Sequence, residues 1–416
     1  MHTMYPMTSC CTVFSFKCTT RFFIRKLLNN NISLKGSEMY FKKWPYAIVP
    51  EEHANIWADR RLLFSQIKEL FENFEQKNSS FIQLLWGYLG AGKTHTLKHF
   101  QYALGNKENM VFVYSRFPTQ ARNFYELYRD GFIQSLNFGL FVKRCSAIWK
   151  ALLSDKEEED AFFWILEHIA HKSYDFAQVV YNFAKLWSVS PAEGFRHPYF
   201  GLSRMWLQGA RLGMRNMKDI GVTKNIKSDE DAVSMMGGIL RLMTLKEAQG
   251  KVTSVIWMLD DCQALLNKEA IQRGLRRVID ECPRNLLVLI SFATTDPEKI
   301  HLGLIDELRT VCAPSLLEVP PLNEVEASEF IIDLINNKDF KEPGKDKFYP
   351  YTEEAILEII AQMKNKGIDL LPRCINRCAD HLTSEAEKDS IDRIDAQYVK
   401  QFFGHKCQSS CPIFSE

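Results

Sequence analysis

Phe81-Ile82-Gln83-Leu84-Leu85-Trp86-Gly87-Tyr88-Leu89-Gly90-Ala91-Gly92-Lys93-Thr94-His95-Thr96-Leu97-Lys98-His99-Phe100 decides the fold. An apolar run of strand character, Phe81 to Trp86, meets a glycine-rich turn, and the turn opens into a helical pattern. Gly87 to Thr94 fits G-x-x-x-x-G-K-[ST] without a mismatch, and a strand before it with a helix after it is the setting that motif requires. The glycines let successive backbone N–H groups curl around the α- and β-phosphates of a nucleotide, while the following helix points its positive end at them. Gly87, Tyr88, Leu89, Gly90, Ala91, Gly92, Lys93, Thr94 and His95 are therefore the expected nucleotide-binding residues. In this pattern Lys93 reaches the β- and γ-phosphates, and the Thr94 hydroxyl holds magnesium. A glycine-rich turn with a packing role alone would leave Lys93 unexplained.

A second nucleotide signature lies downstream. Val252 to Leu259 reads as a buried strand ending in Asp260-Asp261. At the carboxyl end of a central strand beside the phosphate loop, Asp260 is placed to hold the magnesium that bridges the phosphates. Asn285 to Ala293 is another continuous apolar run, of the kind found in parallel strands covered on both faces. Asn109 to Tyr114, rich in β-branched and aromatic residues, supplies a further strand. From about Phe124 to Lys246 the strand pattern gives way to helical spacing, as in Phe162-Phe163-Ile165-Leu166-Ile169 and Phe176-Val179-Val180-Phe183-Leu186. An excursion this long exceeds ordinary connections and points to function. Within it Arg204, Arg211, Arg215, Lys218, Lys224 and Lys227 oppose Asp219, either as a solvated helix face or as a surface for nucleic-acid phosphates.

A net charge of +1 gives no overall pull toward nucleic acid or anionic membrane, so any DNA binding needs such a local patch. No apolar run approaches the roughly eighteen residues of a membrane span. The 11 cysteines are scattered, several inside apparent helices and strands, which suits reduced thiols in the cytoplasm rather than a disulfide framework. His405, Cys407 and Cys411 lack a fourth ligand at a zinc spacing. Lys17, Arg21, Arg25, Lys26 and Lys35 precede the first acid, Glu38, so residues 1–38 are expected to lie outside the folded part. They are either a basic targeting-type leader or the product of a start assigned upstream of Met39. Trp57-Ala58-Asp59-Arg60-Arg61-Leu62-Leu63-Phe64, with Ile67, Leu70 and Phe71, predicts a helix with one buried face ahead of the first strand.

These segments resemble the AAA+ ATPases of initiator, origin-recognition type and the STAND switch ATPases. The resemblance implies an α/β fold with a P-loop NTPase three-layer core, a mostly parallel sheet, a long helical insertion and a C-terminal helical lid. It divides the chain into a leader at 1–38, a core at 39–320 with the insertion at about 121–247, a lid at 321–404 and a tail at 405–416. The Trp57 to Phe64 segment is similar to the adenine-side element of that family. Leu317 to Ala327, with Asn323 as N-cap and Glu326 completing a capping box, is similar to the approach to its lid. Leu371-Pro372-Arg373 and Ile394-Asp395 open later lid helices. By the same resemblance Thr295, or its neighbour Thr294, is the first sensor, Arg373 is the second sensor meeting the γ-phosphate, and Arg309 is an arginine finger offered to a neighbouring subunit. Trp206-Leu207-x-Gly209, Ile220-Gly221-Val222 and Ser228-Asp229-Glu230-Asp231-Ala232 look like ATP-binding proteins of bacterial phage-exclusion loci.

One departure matters. The family commonly ends this strand in Asp-Glu, the glutamate polarising the attacking water, whereas Asp261 is one methylene shorter. Misplacement by about 1 Å can cost about a hundredfold in rate. Two functions stay open at this point. One is Mg²⁺-dependent ATP hydrolysis by a homo-oligomer that remodels or loads DNA or a partner protein, in bacterial defence. The other is a slow or non-hydrolysing, nucleotide-gated switch or scaffold that binds a partner protein through the insertion.

Overall fold

The carboxyl ends of the strands fall within two residues of one another in register, and that is what assembles the site. The computed structural model describes residues 40–406 apart from 47–53, 58 and 59, 108, 172, 190–193, 195 and 247–252. Its sheet contains β1 (Phe81–Gly87), β2 (Met110–Arg116), β3 (Ser254–Asp260), β4 (Leu286–Ala293) and β5 (Leu317–Glu318). The order is β2-β3-β4-β1-β5, and every neighbouring pair is parallel, so the sheet is wholly parallel where a mostly parallel one was predicted. Gly87 is level with Ala293, Leu259 with Ile290 and Arg116 with Asp260. The segments leaving these ends therefore face one crevice, where ligands bind in open parallel sheets.

Alternation along the strands sends side chains to opposite faces. Leu85, Ile256, Met258, Leu287 and Leu289 pack on one face against Leu63, Ile67 and Phe71 of the helix Arg61–Lys77 and Leu97 and Phe100 of the helix Lys93–Leu104. Ile82, Leu84, Trp257, Leu259, Val288 and Ile290 face the other side and share one continuous core with the segment between β2 and β3. That segment is helical, as its spacing predicts, with principal helices at Phe138–Leu153, Glu158–His168, Tyr174–Val189, Pro198–Leu207 and Asp229–Thr244. Phe132 meets Trp257 of β3 edge to face at 5.4 Å, and the Trp257 indole donates to Ser115 Oγ at 2.7 Å. Ser228 and Asp231 close a capping box on Asp229–Thr244, which gives two residues of the 228–232 stretch a local structural task.

The predicted first helix begins at Arg61. Trp57 lies ahead of it and stacks on His99 at 4.5 Å, while Ala58 and Asp59 fall outside the described residues. The capping box of Asn323 and Glu326 is present at the start of Glu324–Asn336. Helices Glu353–Asn365, Pro372–Lys388 and Ala396–Gln401 follow, around a second core that includes Phe330, Ile359, Ile375, Leu382 and Phe402. Tyr40, Phe41 and Tyr46, from far upstream, are buried in that same core. The Trp44 indole donates to Asp380 Oδ1 at 2.6 Å, and the Tyr46 and Tyr351 hydroxyls share a hydrogen bond of 2.5 Å. Cys407 and Cys411 lie outside the described residues.

Gly274, on the helix Glu269–Glu281, shows how tightly the insertion is seated. A Cβ there would stand 2.2 Å from Cγ of Phe124, which has no exposed surface. Gly274→Ala should lower the thermal midpoint, because overpacking of about 1–3 kcal/mol outweighs the gain in helix propensity. Gly201→Ala, on an open helical face where a Cβ meets nothing within 4 Å, should leave the midpoint unchanged or raise it. Thermal melts of the two variants check both signs.

Candidate functional site

The phosphate loop is built by two glycines in left-handed backbone, Gly90 at φ 84° and Gly92 at φ 94°. Gly87 has a different reason to be glycine: a Cβ would fall 2.5 Å from the Val319 carbonyl oxygen just beyond β5. Lys93 opens the helix and is 6% exposed. Its ammonium donates to the carbonyls of Gly87 at 3.0 Å and Tyr88 at 2.8 Å. Burial lowers its pKa to about 8, with Asp260 and Asp261 pulling the other way.

Asp260 has no exposed surface, and three hydroxyls satisfy its carboxylate. Thr94 Oγ1 donates to Oδ2 at 2.6 Å, Tyr114 donates to the same oxygen at 2.9 Å, and Ser291 donates to Oδ1. Burial and then the charge of Asp260 push the Tyr114 phenol up, so it stays a donor, and the Lys98 ammonium lies 3.4 Å over its ring. Asp261 leaves β3 in left-handed backbone, φ 58° and ψ 45°, with its N–H on Ser291 Oγ at 3.3 Å. It is exposed to the crevice, and its carboxyl is raised by partial burial and by Asp260, against Arg116, Lys93 and Arg373.

A cavity of about 700 Å³ opens over these groups. Residues 89–96 of the loop and helix, including Lys93, Thr94 and His95, line one side. Asp261 and Arg116 line the strand ends, and Pro372, Arg373 and Asn376 come from the helix Pro372–Lys388. Gly87 and Tyr88 stand behind the cavity, giving their carbonyls to Lys93. The Arg373 N–H reaches the Gly90 carbonyl at 3.4 Å, and a Cβ on Gly90 would be 3.0 Å from the Arg373 Cβ. The second-sensor candidate is therefore seated on the phosphate loop.

Two predicted residues stand elsewhere. Thr295 is exposed and outside the cavity lining. The chain turns directly after Ala293, and the Thr294 hydroxyl is engaged with Asp296, so β4 presents Ala293 to the cavity. Arg309 is exposed on the short helix Asp306–Arg309, paired with Asp306 and outside the same lining. A finger acting on a neighbouring subunit would need such exposure. Of the basic cluster, Arg204 lies 4.8 Å from the Phe138 ring and Lys224 pairs with Asp231, while Arg211, Arg215 and Lys218 are exposed.

Sequence reasoning missed Tyr114 and Ser291, and placed Arg60 only as part of the Trp57 to Phe64 segment. Ser291 carried a signal, as the one hydroxyl within the apolar run Leu286 to Ala293. Arg60 is 5% exposed and lines the cavity. The Thr94 hydroxyl and Asp260 carboxylate are hard oxygens, which fits Mg²⁺, an ion that takes one or two protein ligands beside phosphate and water. Among the described residues no cluster of three or more His, Cys, Asp or Glu could hold a metal by itself, and no helix is long and apolar enough to cross a membrane.

No family model and no curated protein matches the chain. Among solved structures, the ORC2 protein of Aeropyrum pernix in its ADPNP-ADP complexes is similar at a TM-score of 0.51 and 11% identity, over 89% of this chain and 73% of that one. The ADP form of that protein gives 0.46 and 12%, over 88% and 73%. The Aeropyrum pernix ORC1 protein in complex with DNA gives 0.45 and 12%, over 88% and 69%. At these identities the likeness is one of architecture, and the chain has the fold of the origin-recognition AAA+ P-loop ATPases.

Proposed function

We propose that the chain binds ATP with Mg²⁺ and hydrolyses it slowly, as a homo-oligomer acting on DNA or on a partner protein. The observation that carries this is the convergence of Lys93, Thr94, Asp261 and Arg373 on one cavity, with Asp260 hydrogen-bonded to Thr94 behind it. The backbone of residues 89–93 receives the phosphates, Lys93 turns from its own loop carbonyls to the β- and γ-phosphates, and Arg373 meets the γ-phosphate from the lid side. Thr94 and Asp260 would hold Mg²⁺, which would supply charge neutralisation at the phosphates. Asp261 orients the attacking water. The exposed arginines and lysine of residues 211–218 support contact with nucleic-acid phosphates. The stretches within 206–232 that look like phage-exclusion proteins support a setting in bacterial defence.

ATP with Mg²⁺ should stabilise the protein, by about 2.7 kcal/mol at about 100 times the dissociation constant, and Lys93→Ala should remove most of this. The effect depends on pH. Between about pH 8 and the ordinary lysine value of 10.5, the folded nucleotide-free chain has released the Lys93 proton that the unfolded chain keeps. This group therefore stabilises the nucleotide-free fold as pH rises, and ATP binding, which needs the cation, weakens over the same window. Melting shifts with and without ATP across pH 7 to 10 check both; an undiminished shift in Lys93→Ala would overturn the assignment.

Asp260→Asn should weaken Mg²⁺-dependent ATP binding, whereas Asp261→Asn should spare binding and abolish turnover. Binding isotherms beside phosphate release separate the two roles.

Arg309 is the third test. An arginine finger is worth about 10³ to 10⁵ in rate. Specific activity should rise with protein concentration, and Arg309→Ala should flatten that rise at nearly unchanged ATP affinity. Activity independent of concentration, with the variant equal to the parent, would favour the monomeric switch.

A further inference from the structure

The insertion carries two surfaces of opposite charge, and each has an exposed apolar side chain among its charges. The first is the short helix Met214–Asp219, none of whose residues is buried. Met214 is 85% exposed, and with Met217 and Val222 it lines a hollow of about 530 Å³ to which Arg215 and Lys218 also belong. Arg211 is exposed just ahead of the helix, and Asp219 is the one acid between Arg204 and Lys227. One wall of the hollow is fixed to the helix Tyr174–Val189. Asn182 donates to the Ile220 carbonyl at 2.9 Å, and a Cβ on Gly221, at φ 74°, would stand 2.9 Å from Gln178 Cγ.

The second surface is the helix Glu158–His168. Between Asp155 and Glu167 six acids stand against one lysine, Lys156. Ala161 and Ile165 are the buried residues of this helix, whereas Phe163 is 50% exposed. Glu158 is engaged by Lys185, but Glu159, Asp160 and Glu167 are exposed, and they lie one turn to either side of Phe163 on the same face. Phe162 and Tyr174, with ring centroids 5.5 Å apart, extend the aromatic surface.

The apolar hollow decides what the neighbouring cations suit. Nucleic-acid phosphates draw on cations and gain nothing from methionine side chains between them. A ligand that uses both must carry acids around a projecting apolar group, and methionine adapts to the shape of such a group. The helix Glu158–His168 has that pattern, acid, phenylalanine, acid along one face, and every copy of the chain supplies it.

We infer that Phe163 of one copy enters the hollow of Met214, Met217 and Val222 on a second copy, with Glu159, Asp160 and Glu167 set against Arg211, Arg215 and Lys218. This deepens the homo-oligomer reading above and needs no nucleotide. The contact joins unlike surfaces, so it is heterologous, and successive copies either close into a ring or extend. Charge sets the partner and its register, while the enclosed ring supplies most of the grip.

The test is sedimentation velocity of the nucleotide-free full chain in EDTA, as a concentration series at low and at high salt. The parent should self-associate, at least about tenfold more weakly at high salt. Glu159→Lys with Glu167→Lys, and separately Arg215→Glu with Lys218→Glu, should each weaken association at least about tenfold. An equimolar mixture of the two double variants should recover it, because the reversed helix of one then fits the reversed hollow of the other. Phe163→Ala, which removes an exposed ring and no charge, should also weaken association about tenfold, and it reads the contact even where a reversed pair does not fold. A monomeric parent at every concentration overturns the inference, and so does parent-like association of Phe163→Ala or a mixture that stays apart. A reversed hollow that loses nucleic-acid binding yet associates like the parent assigns the cations to phosphates and overturns it as well. With no nucleotide present, failure here is distinct from failure of the phosphate-loop assignment, which the melting shifts with ATP read by themselves.

Discussion

A carboxylate with no exposed surface must have its oxygens satisfied by the protein, and Asp260 obtains this from three separate elements. Thr94 belongs to the helix after the phosphate loop, Tyr114 to β2 and Ser291 to β4. One side chain therefore ties the loop helix, β2 and β4 to the end of β3, and the relative placement of these four elements is the placement of the site. Breaking any one bond leaves a buried charge short of a partner, a costlier loss than that of an exposed ion pair. The two oxygens divide the work. Ser291 serves Oδ1 and also takes the Asp261 N–H, so the start of the turn that carries Asp261 is referenced to the same anchor.

The lid side obeys a different logic. Its core is closed by residues from far upstream, Tyr40, Phe41 and Tyr46, so the segment preceding the first helix is fastened to the lid. Trp44 on Asp380 and Tyr46 on Tyr351 add directional bonds to that apolar contact. The consequence is that the cavity is walled by chain segments over three hundred residues apart, Tyr46 and Arg60 on one hand, Arg373 and Asn376 on the other. A movement of the lid that changes the distance between Arg373 and Gly90 must also move what Trp44 and Tyr46 hold. Nucleoside and phosphate ends of a ligand would feel the same lid.

What was legible in the sequence is what local chemistry dictates. The run Phe81 to Thr94 specifies strand, loop and helix together, because glycine at positions 90 and 92 answers a backbone demand and Lys93 has no packing reason to follow them. The apolar runs of β3 and β4, the capping box at Asn323 and the proline opening at Pro372 are equally local, and the structure contains each of them. Tyr114 and Ser291 were not legible as site residues, since their contacts with Asp260 depend on strand order, and a sequence pattern does not say that β3 lies between β2 and β4. Thr295 illustrates the converse. Position after a strand suggested it, yet a turn closed by Thr294 and Asp296 takes the backbone away after Ala293. Arg60 reads in sequence as one residue of the Trp57 to Phe64 segment, and its approach to Gly92 is what singles it out there.

Asp261 shows why the length of a side chain is a poor measure of where its charge ends up. Compared with glutamate it is shorter by one methylene, which alone would hold the carboxylate back from the phosphates. The backbone changes that comparison: at φ 58° and ψ 45° the chain leaves the strand direction at this residue. Aspartate tolerates this left-handed region better than most residues with a Cβ, because its short polar side chain can satisfy nearby backbone groups. A glutamate at the same position would start from the same displaced Cα and carry its carboxylate further, so the shorter residue and the turned backbone form one matched choice. The charge that results is exposed to the cavity and raised by its buried neighbour Asp260, while Arg116, Lys93 and Arg373 restrain that rise. Three cations around one carboxylate make its ionisation depend on where the lid arginine stands. Asp261 and the lid are thereby coupled through charge.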